Sequence, residues 1–265
     1  MFTNKGSKGW LKMAEKRKNI NIRRTAQVLK AFSEKPKGWG VTELSSHLGL
    51  AKSVTHGILR ALLEEGLLKK DKDKEIYTCG KEILKLALFF YSNMEITKIA
   101  RPRIKQIVKK INETVLLIQY IDNKVVVIDK VVGDKPLQLG LRIGVGLPLL
   151  RGVASKIFLA FLPDEKVDNI ISRNPDPQVD ITKLKEDLKS IREKGYAISD
   201  EEIYKNILAV GAPIFNKDGK VEAVISTGGL SAIYKNLEKR DKVIKATLTT
   251  AKEISSQMGF LNWKW

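Results

Sequence analysis

The sequence predicts an α+β chain that opens with a winged helix-turn-helix, and three observations carry that prediction. Between Val41 and Tyr77, two helical periodicities are separated by Gly49 and followed by a short charged hairpin. Basic residues crowd the same end of the chain. Beyond residue 114 the apolar period changes from the helical 3.6 to the strand's 2, and paired strand runs then mix with helical runs. Antiparallel hairpins mixed with helices make an α+β domain, not a doubly wound sheet.

The first domain, residues 21–80, builds up element by element. Ile22, Ala26, Leu29 and Phe32 predict a helix behind the DNA-binding pair, and the loop Pro36–Gly40 ends it. Thr42 is the expected N-cap of the next helix, where Leu44 and Leu48 share a face and Gly49 supplies the left-handed stop. Lys52 and Ser53 open the third helix. Val54, Ile58 and Leu62 form its expected buried row, leaving Lys52, Ser53, Thr55, His56 and Arg60 on or near the outer face. Short polar and basic side chains suit a helix that enters the major groove, because they bond base edges and phosphates without filling it. Gly66 ends the helix, Leu67 and Leu68 start a strand, Asp71 to Lys74 turn, and Ile76 and Tyr77 return. Thr42 on the supporting helix and Lys70, Lys72 and Lys74 on the wing complete the expected DNA face. A helical hairpin can serve as core alone. The wing and the basic surroundings point instead to duplex DNA.

Charge agrees. The chain carries a net +18, and residues 1–80 hold 17 Lys and Arg against 8 Asp and Glu, half of that excess in under a third of the length. Lys5, Lys8, Lys12, Lys16, Arg17 and Lys18 form a basic arm over residues 1–20, either a DNA-backbone contact or a solvated tail. No apolar run approaches the 18–20 residues of a membrane span and no signal-like segment opens the chain, so a cytoplasmic protein is expected. Cys79 is the single cysteine, which excludes an internal disulfide. With only His47 and His56 beside it, no zinc site is expected, and no other cofactor.

After the wing, Ile83–Tyr91 is an apolar stretch within a linker helix expected at 81–95, able to pair with its copy in another subunit. The oily core of it, Leu84–Tyr91, reads as a buried helix. The second domain, 96–265, starts within a helix from Glu95 to Ile111, with Pro102 tolerable near its start or at a kink. Val115–Ile121 and Lys124–Val132 are strands joined by Asp122-Asn123, favoured hairpin chemistry. A strand near Leu137–Arg142 and a helix near Ala154–Phe161 follow. Ile181, Leu184, Leu188 and Ile191 mark a helix capped by Asp180 and stopped at Gly195. Strands Ile207–Phe215 and Val221–Thr227 flank the turn Asn216–Gly219, and Ile244, Leu248, Ala251, Ile254 and Met258 mark a long closing helix.

With these elements in order, the chain resembles the IclR family of transcriptional regulators over about residues 20–260. RRTAQVLKAFSEKPKGWGVTELSSHLGLAKSVTHGILRALLEEGLLKKDKDKEIYTCG resembles that family's whole winged helix. ARPRI (100–104), PLQLGLRIGVGLPL (136–149), KIFLAFLP (156–163), IREKGYAISDEE (191–202) and AVGAPIFNKDG (209–219) repeat the pattern of its effector domain in order. The resemblance implies a GAF-like C-terminal domain that binds a small organic acid or aromatic compound, with repression as the expected mode. It implies homodimers, or tetramers built as pairs of dimers, bound to a double-stranded DNA operator. Carried over residue by residue, it implies an effector site of Leu139, Val153, Ala154, Ser155, Ser199, Ile207, Ala209, Ser226 and Gly228. Where several members carry an aspartate, a cysteine and a second serine, this chain has Ser199, Ala209 and Gly228. Those losses remove polar anchors and imply an effector larger or less polar than glyoxylate or pyruvate. Gly57 stands where an arginine is frequent, which shifts DNA reading toward Ser53, Thr55 and His56, with Lys52 and Arg60 on phosphate.

Enzyme chemistry finds little footing. A Ser/His/Asp or Cys/His nucleophile system needs a histidine, and both histidines fall in the DNA-binding region, where His47 is expected to be structural. Gly144-Val145-Gly146 lacks a dinucleotide site's third glycine and reads as a loop, and Gly228-Gly229 as a turn. Asp164-Glu165 and Glu201-Glu202 read as helix caps or solvated faces. A carboxylate-dependent hydrolase and a general nucleic-acid-associated protein remain the alternatives.

Overall fold

The computed structural model describes residues 20–35, 37–71, 73–135 and 140–265. The chain divides into two compact units, Met1–Ser92 and Asn93–Trp265. The basic arm up to residue 19 lies outside the described residues.

In the first unit a helix over 20–31 (α1) is followed by α2 (Val41–Leu48), α3 (Lys52–Glu64), the antiparallel strands β1 (Leu68–Asp71) and β2 (Ile76–Cys79), and α4 (Lys81–Asn93). Val28, Phe32, Trp39, Leu44, Leu59, Leu68 and Tyr77 form its core, so every element except α4 contributes. Gly49 stops α2 at φ 63° and Gly66 follows α3 at φ 69°, both as expected from sequence.

Two expectations fail within this unit. Thr42 is not an N-cap. Gly40 holds that position with no side-chain bond, and Thr42 lies inside α2, where its carbonyl accepts from the hydroxyls of Ser45 and Ser46. The buried row of α3 is Thr55, Leu59 and Leu62, with Val54 and Ile58 only half-buried. The inward face is therefore rotated by one residue from the expected Val54–Ile58–Leu62. Thr55 can turn inward because its hydroxyl donates to Ala51 O at 3.2 Å, which satisfies the polar atom within the helix.

The linker helix α4 has no buried residue, so the expectation of a buried helix over Leu84–Tyr91 is wrong for the single chain. Leu84, Leu86, Leu88, Phe89 and Phe90 are all well exposed, Phe89 at 73%.

The second unit begins with α5 (Glu95–Ile111), which runs unbroken through Pro102. Strands β3 (Thr114–Ile121) and β4 (Lys124–Val131) are joined by Asp122 and Asn123, both at positive φ, the geometry that matches strand twist. A two-residue strand β5 (Gly146–Leu147) comes next. The strand expected near Leu137–Arg142 falls partly outside the described residues, and 140–142 are not a strand. Then come α6 (Val153–Ala160), α7 (Asp164–Arg173) and α8 (Ile181–Lys194), the last capped by Asp180 and stopped at Gly195 (φ 75°). Strands β6 (Ala197–Asp200), β7 (Ile207–Phe215) and β8 (Val221–Leu230) are followed by α9 (Ser231–Tyr234) and α10 (Leu237–Gln257).

The sheet order is β5-β4-β3-β8-β7-β6, antiparallel throughout. Strand alternation gives it two buried faces. Val115, Leu117, Ala212, Ile214, Ala223 and Ile225 pack beneath α5 and α10. Leu116, Ile118 and Val224 face α6 and α8 on the other side. Gly228 and Gly229 belong to β8 instead of forming a turn, since Ala209 pairs with Gly228 and Leu208 with Gly229. A Cβ at Gly229 would lie 3.0 Å from a Glu113 carboxylate oxygen and 3.3 Å from the Tyr234 ring, so the strand is bare there to admit them.

Candidate DNA-reading helix and ligand cavity

On the first unit, α3 presents Lys52, Ser53, His56 and Arg60 to solvent. Lys52 stands at the start of the helix, where unpaired N–H groups and the positive end of the helix dipole already favour an anion. It has no acidic partner among the described residues, whereas Arg60 is paired with Glu64 at 2.9 Å. Gly57 lies between them with open space around a would-be Cβ. Thr55, expected on this face, is wholly buried and unable to touch DNA. Thr42 is exposed on α2.

On the wing, Lys74 is exposed and Lys72 lies outside the described residues. Lys70 is half-buried, ion-paired with Glu75 and 5.5 Å above the Tyr77 ring, so it supports the hairpin. Lys69, which sequence reasoning passed over, occupies the exposed position. The signal was present: with Leu68 buried, period-2 alternation turns Lys69 outward. His47 stacks on Trp39 at 4.7 Å and its Nε2 lies 3.1 Å from Glu34, a structural role.

In the second unit a narrow cavity of about 50 Å³ lies between the sheet and the first turn of α6. Ile207, Ala209, Ser199 and Ser226 contribute from the sheet, and Val153, Ala154 and Ser155 from α6. Gly228 pairs with Thr114 and Ala209 in the sheet but does not line the cavity, and Leu139 lies outside the described residues. Leu116 and Ile118 of β3 join the apolar wall.

The cover is a loop that sequence reasoning missed. Residues 201–206 connect β6 to β7, and Ile203 and Tyr204 line the cavity from there. The loop is bracketed by Glu201 at φ 59° and Asn206 at φ 61°, a left-handed conformation that non-glycine residues seldom adopt. Ile203 also explains Gly152, the N-cap of α6 at φ 83°, where a Cβ would fall 2.4 Å from the Ile203 Cδ1.

The cavity's polar inventory is short. Arg151 lines it, yet its guanidinium donates to Asp176 at 2.8 Å, Gln178 at 2.5 Å and Glu202 O at 3.0 Å. The Ser155 hydroxyl donates to Pro148 O at 2.5 Å. Ser199 and Ser226, 5% and 4% exposed, have no hydrogen-bond partner for their hydroxyls among the described residues. They lie on one face of the sheet, since Ser199 pairs with Ala209, and Ser226 stands two residues before Gly228, the other partner of Ala209. Among the described residues, no histidine, cysteine or carboxylate lines the cavity. Glu202 stands just outside, in a more open polar cleft of about 410 Å³ shared with Lys156, Asp187 and Arg151. Of the two readings its sequence suggests, a helix cap or a solvated face, Glu202 is nearer the first, since it bonds the N-cap residue of α6. Its carboxylate accepts from Lys156 Nζ at 2.5 Å and from the Gly152 N–H at 2.9 Å.

Among the described residues no group of three acidic, histidine or cysteine side chains is placed to hold a metal ion. No described helix is long and apolar enough to cross a membrane.

Comparison with known proteins covers both units. Residues 22–72 match the IclR helix-turn-helix domain, and residues 89–256 match the C-terminal domain of bacterial IclR transcriptional regulators. The chain is 28% identical over 249 residues to the HTH-type transcriptional regulator KipR of Bacillus subtilis, covering 92% of this chain and 98% of that protein. The crystal structure of an IclR transcriptional regulator from Alicyclobacillus acidocaldarius superposes with a TM-score of 0.80 at 23% identity, covering 90% and 98% of the two chains. The Thermotoga maritima IclR structure gives 0.66 at 26% identity, with the same coverage.

Proposed function

Because the chain belongs to the IclR family of transcriptional regulators, we propose that α3 and the β1–β2 wing bind a double-stranded DNA operator whose affinity is set by a small molecule in the α6 cavity. The observation that carries this reading is the outer face of α3, where Lys52, Ser53 and His56 stand free beside a helix start. Repression is the expected mode, in the cytoplasm where the operator is. One winged helix spans only a short half-site, so at least a homodimer is needed for specificity. The exposed apolar residues of α4 supply a surface for pairing two copies, with a tetramer as a pair of such dimers.

The effector is a compact molecule, mostly apolar and uncharged. Two free hydroxyls, from Ser199 and Ser226, offer it orientation, and among the described lining residues the one cation, Arg151, already has its bonds spent. Small aromatic compounds suit this inventory better than organic acids do.

A salt titration with operator-sized duplexes tests the DNA half. Affinity should fall steeply and linearly in log–log form while preference for one sequence persists. Weak binding indifferent to sequence would leave only a general nucleic-acid-associated protein. For the sensing half, ligands that raise the melting temperature of the second unit should change operator affinity reciprocally.

A further inference from the structure

We propose that the second unit holds another ligand site, a cavity among α9, α10 and the end of α5 that takes a small hydroxylated phosphate monoester. Lys239 and Lys242 hold the phosphate, and Tyr234 and Glu113 hold a hydroxyl group. This cavity lies apart from the one at α6. Tyr234 and Val243, which line it, pack against Leu208 and Val210 of β7, whereas Ile207 and Ala209 of the same strand line the α6 cavity. Strand alternation therefore puts the two on opposite faces of the sheet.

Three observations define the ligand, and the buried phenol comes first. Tyr234 is 2% exposed, lines the cavity and has no hydrogen-bond partner for its hydroxyl among the described residues. A buried polar atom left unpaired destabilises the fold, and a ligand oxygen would satisfy it. Burial, and then the charge of Glu113, push the phenol's pKa well up, so the hydroxyl keeps its proton and stays a donor. The Glu113 carboxylate stands beside it. A Cβ at Gly229 would fall 3.0 Å from Glu113 Oε2 and 3.3 Å from the Tyr234 hydroxyl oxygen. Lys135 pairs with Glu113 Oε1, which leaves Oε2 to accept a bond. A donor and an acceptor side by side are the complement of an alcohol, which both donates and accepts.

Charge comes second. Lys239 and Lys242 are exposed, one turn apart on α10, and neither has an acidic partner among the described residues. Three lysines, Lys135, Lys239 and Lys242, line the cavity against one carboxylate, Glu113, so two positive charges stand unbalanced. A phosphate monoester carries about two negative charges at neutral pH, and lysine is an established phosphate binder. The third observation is size. The cavity measures about 250 Å³, and Ile111, Ile233 and Val243 give a carbon skeleton its apolar wall. Drug-sized ligands occupy pockets of about 300 Å³ and more, so the skeleton here is short.

Calorimetric titration of the full-length protein tests the site, with glycerol 2-phosphate, inorganic phosphate, malate and glycerol as probes at matched ionic strength in chloride. Glycerol 2-phosphate is expected to bind saturably, about tenfold tighter than inorganic phosphate or malate, and glycerol not measurably. Lys239→Gln/Lys242→Gln is expected to weaken the ester about tenfold or more. Tyr234→Phe is expected to remove the ester's advantage over inorganic phosphate. Without ligand it should melt no lower than the wild type, because the hydroxyl it lacks has no partner within the fold. Equal ester affinity in the wild type and the double-lysine variant overturns the proposal, as does the absence of saturable ester binding. Malate or inorganic phosphate binding as tightly as the ester overturns the assignment to a hydroxylated phosphate monoester. A Tyr234→Phe protein that melts well below the wild type without ligand overturns it too, since the hydroxyl would then be bonded within the protein.

Discussion

Trp39 and Tyr77 exchange both main-chain hydrogen bonds, each N–H donating to the other's carbonyl at 2.9 Å. That bridge ties the loop before α2 to the returning strand of the wing. Trp39 extends the tie: its Nε1 donates to Ala31 O at 2.9 Å, and its ring stacks on His47 of α2. One buried aromatic thus ties the wing to α1 and α2.

Trp39→Ala should therefore destabilise the first unit by about 3–5 kcal/mol through loss of buried contact. DNA affinity should fall with it, because the wing loses its anchor. Thermal unfolding and a binding isotherm check this. An unchanged melting temperature would refute the role given to the Trp39 side chain.

Thr55 and His56 are neighbours in sequence and opposites in space. Thr55→Val should leave DNA sequence preference unchanged, since its side chain is buried against the unit's own core. His56→Ala and Ser53→Ala should relax preference at individual base positions, by about 1–3 kcal/mol where a base contact is lost. Fluorescence anisotropy on a set of single-base operator variants would separate them. A Thr55→Val protein with altered base preference would mean that α3 lies the other way up.

Lys52 stands at a helix start, unpaired among the described residues, as a phosphate-gripping residue should. Lys52→Gln should weaken binding about equally on all duplexes and reduce the log–log salt slope by about 1. Loss confined to one sequence would assign Lys52 to a base instead.

Gly57 is exposed with free space around it, so its absent side chain reflects no crowding within this chain. Gly57→Ala should stabilise α3 by about 1 kcal/mol. Gly57→Arg should match that gain and add a long donor at the DNA face, changing the preferred operator. Selection from a randomised duplex pool would read the change.

Helix α4 exposes Leu86, Phe89 and Phe90 at i, i+3 and i+4, one continuous stripe. Phe89→Glu should shift the protein toward monomer in sedimentation and raise the concentration needed to occupy a two-half-site operator. Each unit should keep its fold, because no residue of α4 is buried in the single chain. Unchanged sedimentation would exclude α4 as the pairing surface.

Much of this architecture was legible in the residues because periodicity and stop signals are local. The Asp122-Asn123 hairpin, the Asp180 cap and the Gly195 stop each need only a few neighbours to be specified, and each was found. Errors arose where a tertiary partner overrode the local cue. Thr55 reads as polar and outward, yet a hydroxyl that returns its bond to Ala51 behaves as an apolar residue. Gly228-Gly229 reads as a turn, yet the pair keeps a strand clear for Glu113 and Tyr234. At the cavity, Ser155, Ser199 and Ser226 were visible through family resemblance, while Arg151, Ile203 and Tyr204 were not. Glu202 was the hardest to foresee. Nothing near it in sequence announces that Lys156 and Gly152 will hold it.

The far end of β7 offers something practical. Ile207 and Ala209 line the cavity, and at the other end of the same strand Phe215 sits among aromatic rings. Trp265 lies parallel to Phe215 at 6.0 Å and Trp263 edge-on at 5.7 Å, with the two indoles 5.6 Å apart. Indole emission responds to small changes in packing and polarity, so this end of the strand is a built-in optical gauge. An occupied cavity that displaces β7 along its length would announce itself as a spectral shift, with no dye attached and no DNA present.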